Sequence, residues 1–339
     1  MKKVVMGVLG VGRIGKLHIE NILQQFPLIK IKGIADPFLE ESWIANKPID
    51  YLTRNATDVL QDSDIEAILI CSPTPLHAEQ IIMAAHFHKH IFCEKPIAMD
   101  VKKIVEALQA VKDAKVILQI GFNRRFDPNF AKIKKMVSEQ NIGLPHLLRI
   151  TSRDPEIPPA DYIKNSSGMF LDMTIHDFDM ARFLMHSEIE QVYASGNVLI
   201  NDVFKDNNDI DTAIINLKFA CGCLGVIDNS RQAVYGYDQR VEVFGSLGAV
   251  HADNNRQTNT VWSTTQGIMT EKPFHFFLER YKDSYVAELQ AFYQSIVENK
   301  PSMVSGKDGL FSVVVSLAAQ KSLQENIPVK INYDEWNHL

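Results

Sequence analysis

Short apolar runs alternate with amphipathic segments over the first 120 or so residues. The runs lie at residues 4–9, 29–35, 66–71, 90–93 and 115–120. Each has the length of a buried strand and is too short for a helix. Helical patterns of apolar residues lie between them, at residues 17–23, 55–62, 78–87 and 100–112. Strands that alternate with helices predict a parallel sheet covered on both faces.

The pattern changes beyond residue 121. Two helices, at residues 128–139 and 168–184, enclose a strand at 146–153 and a Pro-rich loop at 154–167. Residues 191–250 then contain consecutive strand-like segments without helices, which predicts a mostly antiparallel sheet. Helices at 285–299 and 306–325 and a short strand at 328–332 complete the chain. We therefore expect an α/β domain at 1–122 and an α+β domain at 123–339.

Length, composition and charge indicate which class of protein this chain belongs to. A chain of 339 residues favours two domains, and 46% hydrophobic with 22% charged residues is typical of a globular protein. The net charge of −6 argues against nucleic-acid binding. No apolar run approaches the roughly 20 residues of a membrane span. The N-terminus enters a strand without a signal-peptide pattern, so we expect a cytoplasmic protein that has no membrane partner, and we expect its four cysteines to be reduced.

The first strand is followed by a glycine-rich turn, G-V-G-R-I-G at residues 10–15, and then by a helix. Gly10 allows a tight turn, Gly12 lets the backbone approach a pyrophosphate, and Gly15 lets the helix pack closely on the sheet. The helix N-terminus, which includes Arg13 and Ile14, offers unpaired N–H groups to phosphates. A glycine-rich turn without a ligand is the alternative, but the strand–turn–helix context favours dinucleotide binding.

Asp36 lies at the end of the second strand, some twenty residues after the glycines. A carboxylate there accepts hydrogen bonds from a ribose diol and repels a 2′-phosphate. The next residues, Pro37 and Phe38, supply no arginine for a phosphate. The sequence therefore predicts NAD, rather than NADP, as the cofactor.

Ligands of parallel sheets bind beyond the carboxyl ends of the strands. Glu94-Lys95-Pro96 follows a strand there, and a lysine at this position can stabilise developing alkoxide charge. An ordinary turn is the alternative. In the second domain, Asp172 and His176 are four residues apart on a predicted helix and share a face. Spacing alone leaves open a solvated pair, whereas in an oxidoreductase His176 can take a hydroxyl proton while Asp172 orients it.

These features resemble the Gfo/Idh/MocA family of oxidoreductases over essentially the whole chain. The resemblance rests on the glycine turn, on Glu94-Lys95-Pro96, and on Asp172 with His176. Residues 152–155 (SRDP), 173–182 (MTIHDFDMAR) and 235–240 (YGYDQR) are most similar to its inositol 2-dehydrogenase branch.

The resemblance implies the fold and several roles. The fold is a Rossmann domain followed by a domain with a large, open, mostly antiparallel sheet, through which family members usually form tetramers. Lys95, Asp172 and His176 form the catalytic group, with His176 as acid/base and a cis Lys95–Pro96 peptide. The implied polyol contacts are Arg125, Asp154, Asp179 and Tyr235, the last preferred to Tyr237. The implied cofactor contacts are Glu94, Ser72, Thr74 and His77, of which Thr74 replaces the usual Asn.

We therefore expect an NAD-dependent dehydrogenase that oxidises a cyclic polyol, first of all myo-inositol, to a ketone. Lys95 supplies positive charge, so we expect no metal. Another inositol isomer or a pyranose is the nearest alternative substrate. A non-catalytic NAD-binding sensor is the alternative of another class, and it would be expected to lack Lys95 or the Asp172–His176 pair.

Overall fold

The computed structural model describes residues 2–336 and 338–339, which form two compact units. The first contains residues up to 123 together with 285–311 and the C-terminal residues. The second contains residues 124–284 and 312–334. The sequence predicts a single division at residue 122, but the structure places 285–311 with the first unit. The reason is burial, because Leu289, Phe292 and Ile296 belong to the hydrophobic core of that unit.

The sheet of the first unit has six parallel strands in the order β3-β2-β1-β4-β5-β6. This confirms the predicted parallel α/β architecture. A short edge strand, β3, is additional to the prediction, because three residues are too few to show a pattern. The strands are β1 (Val4–Leu9), β2 (Ile29–Ala35), β3 (Tyr51–Thr53), β4 (Ala67–Ile70), β5 (His90–Glu94) and β6 (Leu118–Gly121).

Helices connect these strands, and their ends follow from the local sequence. The side chain of Asn55 accepts a hydrogen bond from the Thr57 amide, and that of Asp100 accepts one from the Lys102 amide, so each caps a helix. The helices are α1 (Arg13–Gln25), α2 (Glu41–Ile44), α3 (Ala56–Gln61), α4 (His77–His86) and α5 (Val101–Ala114).

The strand order reverses between β1 and β4, which are neighbours at the centre of the sheet. Ligands of such sheets bind outside the carboxyl ends of the strands at this reversal. The segments that leave those ends begin at Gly10 after β1, at Cys71 after β4 and at Lys95 after β5. The topology thus brings the predicted cofactor segments to one edge of the first unit.

The second unit is built on a seven-stranded sheet in the order β12-β11-β7-β10-β9-β8-β15. Its pairs are antiparallel except β7 with β10, which are parallel. The prediction of a mostly antiparallel sheet is confirmed, with this one exception. The strands are β7 (Pro145–Arg153), β8 (Ile189–Asn197), β9 (Thr212–Phe219), β10 (Leu224–Ser230), β11 (Asp238–Gly245), β12 (Gly248–Ala252) and β15 (Val329–Lys330). A separate hairpin contains β13 (Val261–Thr264) and β14 (Gly267–Thr270).

Burial alternates along β9, β10 and β11, so one face of this sheet is covered and the other is open. The helices are α6 (Pro128–Ser138), α7 (Ala160–Asn165), α8 (Ile175–Met185), α9 (Val203–Asp206) and α10 (Phe277–Arg280). Two more, α11 (Lys282–Glu298) and α12 (Gly306–Glu325), have residues in both units. Among the described residues, we find no helix with the length and apolarity that a bilayer crossing requires.

Candidate functional site

The three glycines of the turn after β1 have three different surroundings. Gly10 has a φ of +92°, and a Cβ there would lie 2.6 Å from the backbone nitrogen of Ser72. A Cβ on Gly15 would lie 2.1 Å from the carbonyl oxygen of Gly10, so only glycine lets α1 pack this close to β1. A Cβ on Gly12 would meet no heavy atom within 4 Å. The turn is therefore closely packed at Gly10 and Gly15 and open at Gly12. This fits a pyrophosphate that lies at the start of α1.

Asp36 joins the end of β2 to this turn. Its Oδ2 accepts a hydrogen bond of 2.6 Å from the Val11 amide, and its Oδ1 accepts one of 2.7 Å from the Phe38 amide. A carboxylate oxygen has two lone pairs, so both oxygens can still accept a hydrogen bond from a hydroxyl group. The arrangement is compatible with the ribose of an NAD adenosine, and the contact between Asp36 and that ribose stays a prediction.

The segment after β4 carries three residues predicted along the cofactor. Ser72 and Thr74 are half-buried, and the Ser72 hydroxyl donates a hydrogen bond of 2.6 Å to Gln80. The His77 side chain is buried and bonded to the backbone. It is 1% exposed, and its ring nitrogens lie 2.8 Å from the Pro96 carbonyl and 2.6 Å from the Ser72 carbonyl. His77 thus connects the segment after β4 to the segment after β5, and its contact with the cofactor stays a prediction.

Two opposing effects act on the His77 imidazole. Burial lowers its pKa, whereas the two carbonyl oxygens favour the charged ring, and burial prevails.

The peptide bond between Lys95 and Pro96 is cis, which confirms the expectation from the family resemblance. Lys95 itself is half-buried at the end of β5.

Glu94 belongs to a buried acid–base cluster that the sequence does not reveal. Its Oε1 lies 2.7 Å from Nε2 of His18, a hydrogen-bond distance, and the same nitrogen lies 3.9 Å from Oε1 of Glu288. Ligand-type atoms of the three side chains lie within 4.8 Å of one another. Burial first, and the charge of Glu94 second, raise the pKa of Glu288 well above its usual value.

In the second unit, Asp172 and His176 lie where two kinds of helix meet. Residues Phe170–Thr174 form a π-helical turn, and α8 begins at Ile175. The sequence predicts a regular helix here, so the π turn is a correction to that prediction. Its hydrogen bonds run from residue i to i+5, which changes the angle between side chains four residues apart, and such turns are frequent at functional sites. Both side chains are half-buried.

Arg231 bridges Asp172 to Asp154. Its Nη2 donates to Oδ2 of Asp172 at 3.0 Å, and its Nη1 donates to Oδ2 of Asp154 at 3.1 Å. The hydroxyl of Tyr162 donates to the other oxygen of Asp172 at 2.8 Å. Burial would lower the pKa of Arg231, but the two carboxylates outweigh burial and raise it. Burial raises the pKa of Asp154, and Arg231 opposes that shift.

Parallel pairing of β7 with β10 explains this bridge. Arg153 and Ser230 are opposite each other in the register, so the next residues, Asp154 and Arg231, leave the sheet at the same end. Arg231, Tyr162 and His18 are not among the site residues that the sequence predicts. Arg231 directly follows β10 and is visible in the sequence as a charge, but its carboxylate partners depend on a strand pairing that the local pattern does not reveal.

Arg125 and Asp179, both predicted to contact the polyol, are bonded to each other. Nε and Nη2 of Arg125 donate to the two carboxylate oxygens of Asp179 at 2.8 and 2.6 Å. Both residues are buried. Removing one partner of such a pair costs roughly 3–5 kcal/mol, because it leaves an uncompensated charge. The pair therefore has a structural role, and its contact with a polyol remains a prediction.

The two candidate tyrosines are placed differently. Tyr235 is 39% exposed, and its hydroxyl donates to Asp238 at 2.5 Å and accepts from Arg153 at 3.2 Å. Tyr237 is buried, and its hydroxyl accepts from Arg124 at 3.3 Å. Exposure thus favours Tyr235 as the tyrosine open to a ligand, although its contact with substrate stays a prediction.

Comparison with known proteins gives full-length similarities. Residues 4–122 match an oxidoreductase family with an NAD-binding Rossmann fold, and residues 130–251 match the Gfo/Idh/MocA C-terminal domain. The chain is 52% identical to the uncharacterized oxidoreductase YrbE of Bacillus subtilis, over 98% of each chain. It is 46% identical to the myo-inositol 2-dehydrogenase of Thermotoga maritima, over 96% of this chain and 98% of that protein.

A solved structure also matches. It is the scyllo-inositol dehydrogenase of Lactobacillus casei with bound NAD(H) and scyllo-inositol. The TM-score is 0.90 at 30% identity, over 97% of this chain and 99% of that one. The similarity therefore extends over both units.

Proposed function

The chain belongs to the Gfo/Idh/MocA family of oxidoreductases, and we propose that it oxidises myo-inositol to 2-keto-myo-inositol with NAD as hydride acceptor. The observation that carries the proposal is the 46% identity, over nearly the full length, to a relative named myo-inositol 2-dehydrogenase. The open turn above Gly12 and the acceptor at Asp36 support NAD.

Each catalytic role follows from the chemistry of a side chain. The glycine turn at Gly12 and Asp36 would hold NAD, which would supply the acceptor for the hydride that leaves the carbon bearing the hydroxyl. His176 takes the hydroxyl proton as general base, and Lys95 stabilises the charge that develops on the oxygen. Asp172 orients the imidazole and favours its protonated form. Proton and hydride thus leave the same alcohol, and a ketone forms without a metal in any step.

Selection of a polyhydroxylated ring requires many directed hydrogen bonds. We assign this task to Asp154 and Tyr235, and to the Arg125–Asp179 pair through its remaining hydrogen-bonding capacity. An unpaired polar group in the complex costs about 1–3 kcal/mol, which is enough to discriminate between epimers.

A second substrate has a specific observation in its favour. The L. casei relative was solved with scyllo-inositol, so oxidation of this isomer, or of another inositol or a pyranose, is the alternative. A non-catalytic NAD-binding sensor is disfavoured by the presence of Lys95, Asp172 and His176 together.

We further propose a cytoplasmic homotetramer that assembles through the open face of the seven-stranded sheet. Phe244, Leu147 and Leu224 lie in register on that face across β11, β7 and β10. Phe244 is 47% exposed and Leu224 is 53% exposed, which is unusual for apolar residues at the centre of a sheet. Free thiols at all four cysteines agree with a reducing compartment.

The test is NADH formation with myo-, scyllo- and chiro-inositol and glucose, each with NAD and with NADP. We expect the highest kcat/KM for myo-inositol with NAD. His176→Ala should lower kcat much more than it changes KM, because it removes an interaction of the transition state. Product analysis must show a ketone. Absence of NADH formation with every inositol would overturn the proposed function, and unchanged turnover of His176→Ala would remove His176 as the base.

A further inference from the structure

We propose that Arg231 is a positioning residue for this reaction. Its guanidinium holds the carboxylates of Asp154 and Asp172 in one fixed arrangement. The inference rests on the proposed roles of Asp172 and His176 in proton transfer. Arg231 is 4% exposed and donates through Nη1 to Asp154 and through Nη2 to Asp172. It therefore links the segment after β7 to the π turn that carries Asp172.

The guanidinium suits this task better than any other side chain. It is planar and always charged, and its donors are arranged as a rigid fork. One nitrogen serves each carboxylate, so the distance between Asp154 and Asp172 is set by the width of the fork. A lysine at this position keeps the charge but offers a single flexible ammonium, which does not impose the same distance.

Tyr162 completes the restraint on Asp172. Its hydroxyl donates to Oδ1 while Arg231 donates to Oδ2, so the two carboxylate oxygens have different donors. Rotation of the carboxylate would break one bond or the other. Asp172 is therefore held in orientation as well as in position, which is what a residue that orients a catalytic imidazole requires.

The positive charge of Arg231 also affects the titratable groups around it. The groups that act on this cluster are Asp172, Asp154 and Tyr162, together with Arg124, whose charge acts on Asp154. Without Arg231, the two carboxylates lose the positive charge that lies between them, and the negative charge of Asp172 acts more strongly on its surroundings. A nearby negative charge raises the pKa of a histidine. Because a general base must be neutral, activity would then appear only at higher pH.

The backbone at this site is held independently of the Arg231 side chain. The Arg231 amide donates to the Asp211 carbonyl at 2.8 Å, and the Asp154 amide donates to the Ser230 carbonyl at 2.9 Å. The Ala233 amide donates to the Asp154 carbonyl at 2.6 Å. A variant that changes only the side chain therefore keeps these main-chain bonds, and we expect it to fold.

The experiment compares Arg231→Gln, Arg231→Lys and His176→Ala with the unmodified enzyme. Arg182→Gln is the matched control, because Arg182 is also buried in the second unit and forms a two-bond pair with Glu188. For each variant, kcat and KM are measured for myo-inositol and NAD from about pH 6 to pH 10. Thermal unfolding of each variant measures the structural effect.

We expect Arg231→Gln to lower kcat roughly 10- to 100-fold, as small displacements in an active site do. The rise of kcat/KM with pH should move to higher pH, and KM for NAD should not change. Arg231→Lys should restore the position of that rise but not the full kcat. Arg182→Gln should lower the melting temperature without moving the pH profile.

Two results would overturn the role of Arg231. One is an unchanged kcat and pH profile in Arg231→Gln, and the other is an equal shift of the profile in Arg182→Gln. A failure of the proposed function looks different, because His176→Ala would then keep full turnover, or the unmodified enzyme would not oxidise inositol at all.

Discussion

At the scale of single residues, Asp36 has a structural role beside the selection of NAD that we propose for it. The carboxylate that is expected to bind ribose also accepts the Val11 amide at 2.6 Å, within the glycine turn. The conformation of the glycine turn therefore depends on the same residue that is proposed to select the cofactor. Asn at this position keeps an acceptor for the amide but removes the charge, so the two tasks can be separated.

We predict that Asp36→Ala raises KM for NAD about tenfold or more, because it loses hydrogen bonds to a charged acceptor. Asp36→Asn should lose less NAD affinity, since it keeps one acceptor. Both variants should reduce the preference for NAD over NADP, because the charge that repels a 2′-phosphate is gone. Steady-state kinetics with both cofactors measure this. Asp50→Ala, which removes an exposed carboxylate of the same unit, is the control. An unaltered preference in Asp36→Ala would contradict the ribose assignment.

Three elements meet at the buried cluster of His18 on α1, Glu94 on β5 and Glu288 on α11. Neither carboxylate oxygen of Glu288 has a hydrogen-bond partner among the described residues, and the side chain is fully buried. A charge in such a place is costly, so the neutral acid is favoured. Packing of α11 against the sheet therefore depends on the protonation of one carboxyl group.

The sign of the resulting pH dependence follows from the raised pKa of Glu288. In the unfolded chain this group ionises near its usual value, whereas in the folded chain it keeps its proton to much higher pH. Between these two values the folded state binds more protons. Its free energy of unfolding therefore falls as pH rises through this window.

We predict that Glu288→Gln removes part of this loss, because an amide cannot ionise. The free energy of unfolding of the variant, minus that of the unmodified protein, should increase with pH within the window. The increase is at most about 1.4 kcal/mol per pH unit. Denaturant unfolding at pH 5, 6.5 and 8 measures the difference. Glu79→Gln, on the exposed side of α4, should follow the unmodified protein. Parallel curves for Glu288→Gln and the unmodified protein would contradict a neutral Glu288.

At the scale of the whole molecule, the sequence predicts the parallel sheet, its helices and the antiparallel character of the second sheet. These features have local signals in apolar periodicity, glycine turns and helix caps. Features that depend on contacts between residues far apart in the sequence have no such local signal. The assignment of residues 285–311 to the first unit and the parallel pairing of β7 with β10 are of this kind. For the same reason the role of Arg231 could not be predicted, since its carboxylate partners are 77 and 59 residues away in sequence.

The proposed tetramer gives a prediction at this scale. Phe244→Glu places a charge among the apolar residues on the open face of the sheet, so we expect smaller assemblies in sedimentation or light scattering. The fold should persist, because the side chain is half exposed in the single chain. Met303→Glu, at another exposed apolar residue, should not change the assembly. If the assembly formed by Phe244→Glu had the same mass as that of the unmodified protein, assembly through this face would be contradicted.

The single parallel pair in the second sheet has a consequence for how substrate preference can diverge among relatives. Because β7 and β10 run in the same direction, the two segments that follow them start side by side, at Asp154 and Arg231. Both can be replaced without altering the alternation or register of any strand. New specificities can therefore arise by exchange of two adjoining loops on an unchanged scaffold, provided that the two are exchanged together.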